Sequence, residues 1–502
     1  MCESRKTIYD LIDNKQEGNG YCVKERELYL FILPMRYLWL VLTGLVYTGS
    51  LPAQKYHALQ GSRYAGSLAV HENPAGIQAT PFKWDITVLG AQMKNNTNTF
   101  TIRHYSLLSN PRHSLYVIDS GYYKRYNDFS ANINLLNARI ALGRKQTIAF
   151  GINLKSYLNA EAGPYNFIDT LGGSGDFFKI NHTTPELSGS GAAAGWGEVY
   201  AAYARTVVDN GRIRINAGLT LKAGRTMAGG FIQVNDTRVI SPVPGVYEVA
   251  GNALYGYNRS FDNTGSNAAQ ELWKEGQMTV GMDIGAEIVI KPEQVVLYQE
   301  DDYYDYDWKF GVALLDAGRL PFRYGVESRR LVSIRPGVTN AVLDDKFQYI
   351  NSLAELNDSL ATIADLSVLS GSFYIQRPAR LMLTADHFLG DYFYISGSAV
   401  LHAPAAVARE EYRIRESELL TIVPRWEKRT AGIYLPLQLN YRGRFWAGGA
   451  FRIGPLLLGI HNWANVFSKN KMQRGGGYIA FHFRSQEWSR RKFDRRLNCP
   501  VF

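Results

Sequence analysis

Cysteine is almost missing from this chain: three residues in 502, at Cys2, Cys22 and Cys499. That spacing excludes a disulfide framework and a zinc cluster, and no neighbouring histidine supports thiol catalysis at Cys499. Long apolar runs are equally scarce. The single candidate, Leu28 to Tyr47, is interrupted by Pro34, Met35 and Arg36, and the mean hydropathy of −0.20 excludes a protein of many helical spans. Catalytic signatures are lacking too. There is no His-Glu-x-x-His, no Walker-type phosphate loop and no Gly-x-Ser-x-Gly elbow. Gly189, Gly191 and Gly195 approach a dinucleotide fingerprint, but no βαβ unit surrounds them, and their Ser/Gly/Ala stretch reads as a flexible loop. No enzyme, cofactor or metal site is expected. The acidic run Glu300, Asp301, Asp302, Asp305 and Asp307 lacks the spaced glycine and distal glutamate of a calcium loop and reads as an ordinary charged turn.

What the chain does contain is 46% apolar and 13% aromatic residues, with 32 Tyr and 47 Gly, which excludes disorder. Its net charge of +10 owes much to a basic tail. Between Arg484 and Arg496 six basic residues face Glu487 and Asp494, so residues 484–502 read as a solvated tail and nucleic-acid binding is not expected. Starting from Met35, Arg36 gives a positive n-region, Tyr37 to Tyr47 an apolar core, and Thr48 to Ala53 a small, turn-forming end. Residues 35–53 are therefore expected to be a signal peptide cut between Ala53 and Gln54, and residues 1–34 an upstream extension that is not translated; a cytoplasmic leader with an uncleaved anchor is the alternative.

Beyond Gln54 the dominant signal is period two. Arg212 to Ala223 alternates polar and apolar for twelve residues, placing every apolar side chain on one face of an extended ribbon. The phase recurs in Val280, Met282, Ile284, Ala286, Ile288 and Ile290, and in Ile433, Leu435, Leu437 and Leu439. Weaker copies cover Phe129 to Leu142, Thr147 to Leu158, Glu198 to Val208, Trp308 to Leu315 and Tyr392 to Leu401. Segments of about ten residues exceed the usual soluble strand of about five or six and match the roughly 9–11 needed to cross a bilayer. Short turns (Asp209-Asn210-Gly211, Gly143-Arg144-Lys145, Phe388 to Asp391) alternate with long connections (Asn159 to Gly197, Asn258 to Gln277, Ala317 to Ala379). The expected fold is all-β: a transmembrane antiparallel barrel over residues 84–483, whose alternation counts between 14 and 18 strands. Tyr303, Tyr304, Tyr306 and Trp308 suit an interfacial girdle. The alternative is a secreted β protein whose aromatics fill a core.

Two segments break the pattern. Residues 54–83, rich in Gly, Pro and Ala, are expected to precede the first strand and fold into the lumen like a plug. Phe347, Ile350, Leu353, Leu356, Leu360 and Ile363 recur at helical spacing and predict an amphipathic helix in the longest loop, as a lid or as loop packing. On the polar strand faces, Arg212, Arg214, Lys222, Asp283, Glu287, Gln438 and Asn440 are the candidate lumen-lining residues. Asp386 and His387, adjacent on a strand, are expected to face opposite sides.

The stretch Tyr64 to Gly76, followed by Pro81-Phe82-Lys83-Trp84-Asp85, together with Trp308 to Gly318, Val423 to Glu427 and Arg452 to Gly459, resembles an uncharacterised outer-membrane β-barrel family of Bacteroidota, a domain-of-unknown-function family. Asn73-Pro74-Ala75 also resembles the N-terminal motif of long-chain fatty-acid transporter barrels and of the type IX secretion barrel component. The resemblance implies an outer-membrane location and about 14 strands, and no established substrate; it marks Asn73, Pro74, Ala75 and Gly76 as the ligand or plug motif. The last strand, Gly477 to Phe483, carries the aromatics of an insertion signal (Tyr478, Phe481, Phe483) for the barrel insertion machinery. It departs from the pattern in an early glycine and in the nineteen residues that follow. The functional expectation is a gated outer-membrane channel or binder for small hydrophobic ligands, in contact with outer-membrane lipid. The alternative is a docking barrel for a secretion or gliding-type envelope complex.

Overall fold

The computed structural model describes residues 57–485, apart from 107–108, 169–173, 263–267, 293–303, 348, 404–411 and 470. The expected leader and its cleavage point, most of the acidic run and the basic tail beyond Ser485 lie outside the described residues.

Fourteen antiparallel strands close into one ring. They are β1 (Trp84–Thr97), β2 (Gly121–Ala141), β3 (Gln146–Phe167), β4 (Leu187–Asp209), β5 (Ile213–Val243), β6 (Met278–Ile290), β7 (Trp308–Arg323), β8 (Arg380–Gly390), β9 (Phe393–His402) and β10 (Leu419–Glu427). Next come β11, in two pieces (Ala431–Tyr434, Leu437–Asn440), and β12, also in two (Phe445–Ala447, Gly449–Ile453). β13 (Leu456–Ile460) and β14 (Arg474–Arg484) complete the series. Each pairs with its neighbour, and β14 returns to β1 in a register running from Asp85 opposite Arg484 to Asn96 opposite Arg474. β11 is interrupted at Pro436, which has no N–H to give the ladder.

The alternation sorts side chains as a membrane barrel requires. Outward residues are apolar and exposed, among them Leu221 (59%), Val280 (70%), Ile284 (51%) and Ile433 (62%), while inward Arg214, Lys222, Asp283 and Gln438 are buried. Trp84, Trp308, Tyr392, Phe393 and Phe483 lie outside near the short-turn end, where an aromatic belt anchors the interface. No helix among the described residues is long and apolar enough to cross a membrane.

The strands are longer than the alternation alone marks. β5 has 31 residues, about 100 Å of extended chain, against the roughly 9–11 residues a bilayer needs. Much of the expected Asn159 to Gly197 loop is therefore strand, β3 continuing to Phe167 and β4 starting at Leu187. The Ser/Gly/Ala stretch around Gly189, Gly191 and Gly195 belongs to β4 and is not a loop. Its small residues weaken the local apolar signal, but the ladders to β3 and β5 hold them extended. The upper part of β5 pairs with a strand at Val246–Tyr257, which continues to Arg329–Ile334 and then Ala364–Val368, forming a sheet beyond the ring at the long-loop end.

The expected amphipathic helix is two helices, Asn340–Phe347 and Leu353–Ile363. Ser352 breaks the pattern: its hydroxyl accepts from the Glu355 amide (3.1 Å), and the Glu355 carboxylate accepts from the Asn351 amide (2.7 Å), a reciprocal cap that starts a new helix. Both helices pack on the outer sheet around Leu331, Val338 and Ile363.

Candidate functional site: a three-tiered lumen

Residues 57–83 run inside the ring, where Ala58, Leu59, Gln60, Ser67, Ala75 and Ile77 are nearly or wholly inaccessible. Polar contacts tie the segment to the wall at many points. Gln60 accepts from Ser398 (2.6 Å), Ser62 donates to Glu427 (2.6 Å), Ser67 meets Thr87 (3.1 Å), and Gln78 accepts from Thr147 (2.7 Å). Leu59, Ala65 and Leu68 pack on Val423, Tyr434, Leu457 and Tyr478.

The centre of this lower tier is Asn73. Its Oδ1 accepts from the Ala75 amide (2.9 Å), capping the short 3-10 helix Pro74–Ala79, and its Nδ2 donates to the Ala286 carbonyl on β6 (2.9 Å). Three glycines on adjacent strands make room for it. A Cβ on Gly218 (β5) would overlap the Pro74 and Ala75 backbone; one on Gly285 (β6) would overlap the Asn73 carboxamide; one on Gly311 (β7) would press on Asn73 Nδ2. The Asn-Pro-Ala turn thus sits in a cradle that only unsubstituted backbone can form.

Above it lies an ionic tier. Lys155, Lys222, Arg377 and Arg380 surround Glu198, Asp283 and Asp316, four cations to three anions. Lys222 bonds Asp283 (2.7 Å) and Asp316 (2.7 Å), Lys155 bonds Glu198 (2.8 Å) and Asp316 (3.0 Å), Arg380 bonds Asp316 (2.6 Å), and Arg377 joins Glu198. Asp316 occupies a bulge in β7 with φ of 54°, a left-handed conformation that Asp tolerates better than most residues, and its amide donates to Asp283 (2.6 Å). His71 of the lower tier touches this layer: its carbonyl accepts from Arg380 (3.2 Å) and its ring meets Tyr200 edge-on at 5.5 Å. Burial, then the Lys155 and Lys222 ammoniums, pull the His71 imidazole down to about 3.

The upper tier is apolar. Tyr157, Ala192, Ala194, Trp196, Phe231, Leu320, Phe322, Phe373, Ile375 and Ile414 form one cluster inside the ring. Tyr157 stacks on Trp196 at 5.7 Å, Phe322 on Phe373 at 5.3 Å, and Tyr412 on Phe231 at 3.6 Å. A short strand, Ser372–Gln376, lies along the upper end of β7, and Tyr412–Arg413 lies parallel to it, so chain from two outer connections roofs the cluster. Trp196 joins the tiers: its Nε1 donates to Glu198 (2.9 Å), and the Arg377 guanidinium lies 5.2 Å from its ring.

The candidate residues fall as follows. Asn73, Pro74, Ala75 and Gly76 are in the lower tier. Lys222 and Asp283 belong to the ionic tier. Glu287 accepts from Asn216 (3.3 Å), Gln438 accepts from Trp446 (2.9 Å), Asn440 caps the turn to β12 through the amides of Arg442 and Arg444, and Arg214 lies near Tyr304. Arg212 differs from expectation: it is exposed in the β4–β5 turn, because the strand starts one residue later. In β14, Phe481 and Phe483 face outward, whereas Tyr478 is buried against the N-terminal segment. Asp386 points inward, paired with Arg425 (2.7 Å), while His387 stacks on Trp308 at 4.0 Å. Sequence reasoning missed Lys155, Glu198, Asp316, Arg377 and Arg380; the inward phase of β3 and β4 marks the first two and Arg380 opens β8 on its inward face, whereas Asp316 depends on a bulge and Arg377 on loop chain entering the ring. Of the acidic run, Asp305 and Asp307 are described, and Asp305 pairs with Arg63.

No family model and no curated protein matches the chain. Solved structures do. The Ralstonia pickettii toluene transporter TbuX matches at 11% identity and a TM-score of 0.38, covering 84% of this chain and 94% of its own. The P. putida toluene transporter TodX matches at 10% identity and a TM-score of 0.40, covering 84% and 95%. A Pseudomonas aeruginosa FadL homologue matches at 11% and 0.38, covering 83% and 91%. Overlaps of this size assign no substrate.

Proposed function

We propose that this chain is a bacterial outer-membrane channel or binder for small hydrophobic ligands, closed on the periplasmic side by residues 54–83. One observation carries the reading: an aromatic, apolar cluster buried inside the lumen above an ionic tier. An apolar cluster inside a membrane barrel is not needed to hold the ring, which its ladders close, and it suits a ligand that leaves water on entering. The ionic tier and the Asn73 cradle then form the floor, which has to move for the ligand to pass. Transport of toluene, named for TbuX and TodX, is the same ligand class. Short turns at one end and long connections at the other orient this cluster toward the cell exterior.

Uptake of toluene and of a fluorescent fatty acid into proteoliposomes tests this, comparing the full chain with a form lacking residues 54–83. Ligand-dependent uptake by the full chain and faster, less selective uptake by the deletion support it; no uptake by either form contradicts it. A docking barrel is the second reading. It is favoured by the sheet beyond the ring, which ends at Ala364–Val368 with one described partner strand, an edge of the kind that other chains extend.

A further inference from the structure

A small polar cavity lies inside the ring at the long-loop end, between β1, β12 and β14. Lys94, Asn96, Trp446, His461 and Arg474 line it. Lys94 is 4% exposed, and among the described residues its Nζ has neither a hydrogen-bond partner nor an ion pair; the Trp446 ring is 5.4 Å away. The carboxylates that act on it from further off are engaged elsewhere: Glu416 accepts from Tyr157 (3.3 Å), and Asp128 accepts from Asn159 (2.9 Å) and pairs with Arg442 (3.5 Å). A buried ammonium without a partner costs several kcal/mol unless something compensates it. The space admits about one water-sized group, enough for a halide and too little for phosphate.

We infer that this cavity is a binding site for a small monovalent anion of halide size, held by Lys94 Nζ with the Arg474 guanidinium beside it. Aromatic cover from Trp446 limits exchange with bulk water. Crystals of the full chain grown in bromide test it by anomalous scattering at the bromine edge. The expected result is a bromide in direct contact with Nζ, retained in Lys94→Arg, lost in Lys94→Met and unaffected by excess phosphate. Bromide NMR line width in detergent gives the same comparison in solution, with broadening by the wild type that falls on Lys94→Met. Heat-modifiable gel migration verifies that each variant folds, and if Lys94→Met does not, the wild-type map alone decides. A water at Nζ without anomalous signal, a peak that persists in Lys94→Met, or displacement by phosphate overturns the inference.

Discussion

Asp316 joins the ionic tier more than any other residue. It accepts from Lys155, Lys222 and Arg380, and it does so from a left-handed bulge that only its neighbours hold in place. Asp316→Asn leaves a similar shape and removes one negative charge from a layer that already has a cationic surplus. Removing one partner of a buried ionic group generally costs about 3–5 kcal/mol, because the remaining charge is stranded. The variant is expected to lose stability on that order, read from urea unfolding of the folded barrel in detergent micelles; an unchanged midpoint would mean that solvent already compensates the cluster. Asp316 was not legible as a site from sequence. Its strand reads as regular through Leu315, and a bulge that turns one side chain inward leaves no trace in a period-two count.

At the scale of elements, the proposed channel requires the N-terminal segment to move. His71 gives a handle on it. In the docked segment its imidazole is held down to about 3, against an ordinary value of 6.5 for a solvated ring. Between those limits the released segment binds a proton that the docked one does not, so docking is complete above about 6.5 and weakens as pH falls toward 3. Lys155, Lys222, Glu198 and Asp316 are the charged groups acting on the ring. Protease accessibility of residues 57–83 is expected to rise on acidification through this window, and His71→Gln is expected to flatten the profile. Equal pH dependence in both would assign the effect to other groups. The broad character of this element was readable: Gly, Pro and Ala among short apolar stretches ahead of Trp84 indicated ordered chain that is not strand. Its cradle was not readable, since Gly218, Gly285 and Gly311 look like ordinary strand glycines until three strands are laid side by side. The paired helices at Asn340–Phe347 and Leu353–Ile363 teach the same lesson, for apolar spacing ran through Ser352 and only the cap showed the break.

For the whole molecule, alternation was enough to indicate a closed barrel and to bound its strands between 14 and 18, because each strand repeats the same two-faced rule; the ring has 14, the lower bound and the number the family resemblance implies. Strand ends were less legible, since β3, β4 and β5 continue past the membrane, where packing against the outer sheet replaces lipid as the reason for an apolar residue. The lipid-facing reading makes a direct prediction. Ile284→Arg, on the outer face of β6, is expected to cost about 2–4 kcal/mol in a bilayer near its midplane, measured by reversible unfolding from vesicles. A soluble β protein would tolerate an added charge on an exposed strand face. The central claim, that a hydrophobic ligand crosses when residues 54–83 shift, is tested most directly by a reversible tether. Ser67 and Thr87 meet through their hydroxyls at 3.1 Å, so Ser67→Cys with Thr87→Cys places two short thiol side chains at a distance suited to a disulfide, and closes a loop that contains His71 and Asn73. Toluene uptake into proteoliposomes is expected to stop when the pair is oxidised and to return on reduction. Equal uptake in both states would contradict the account.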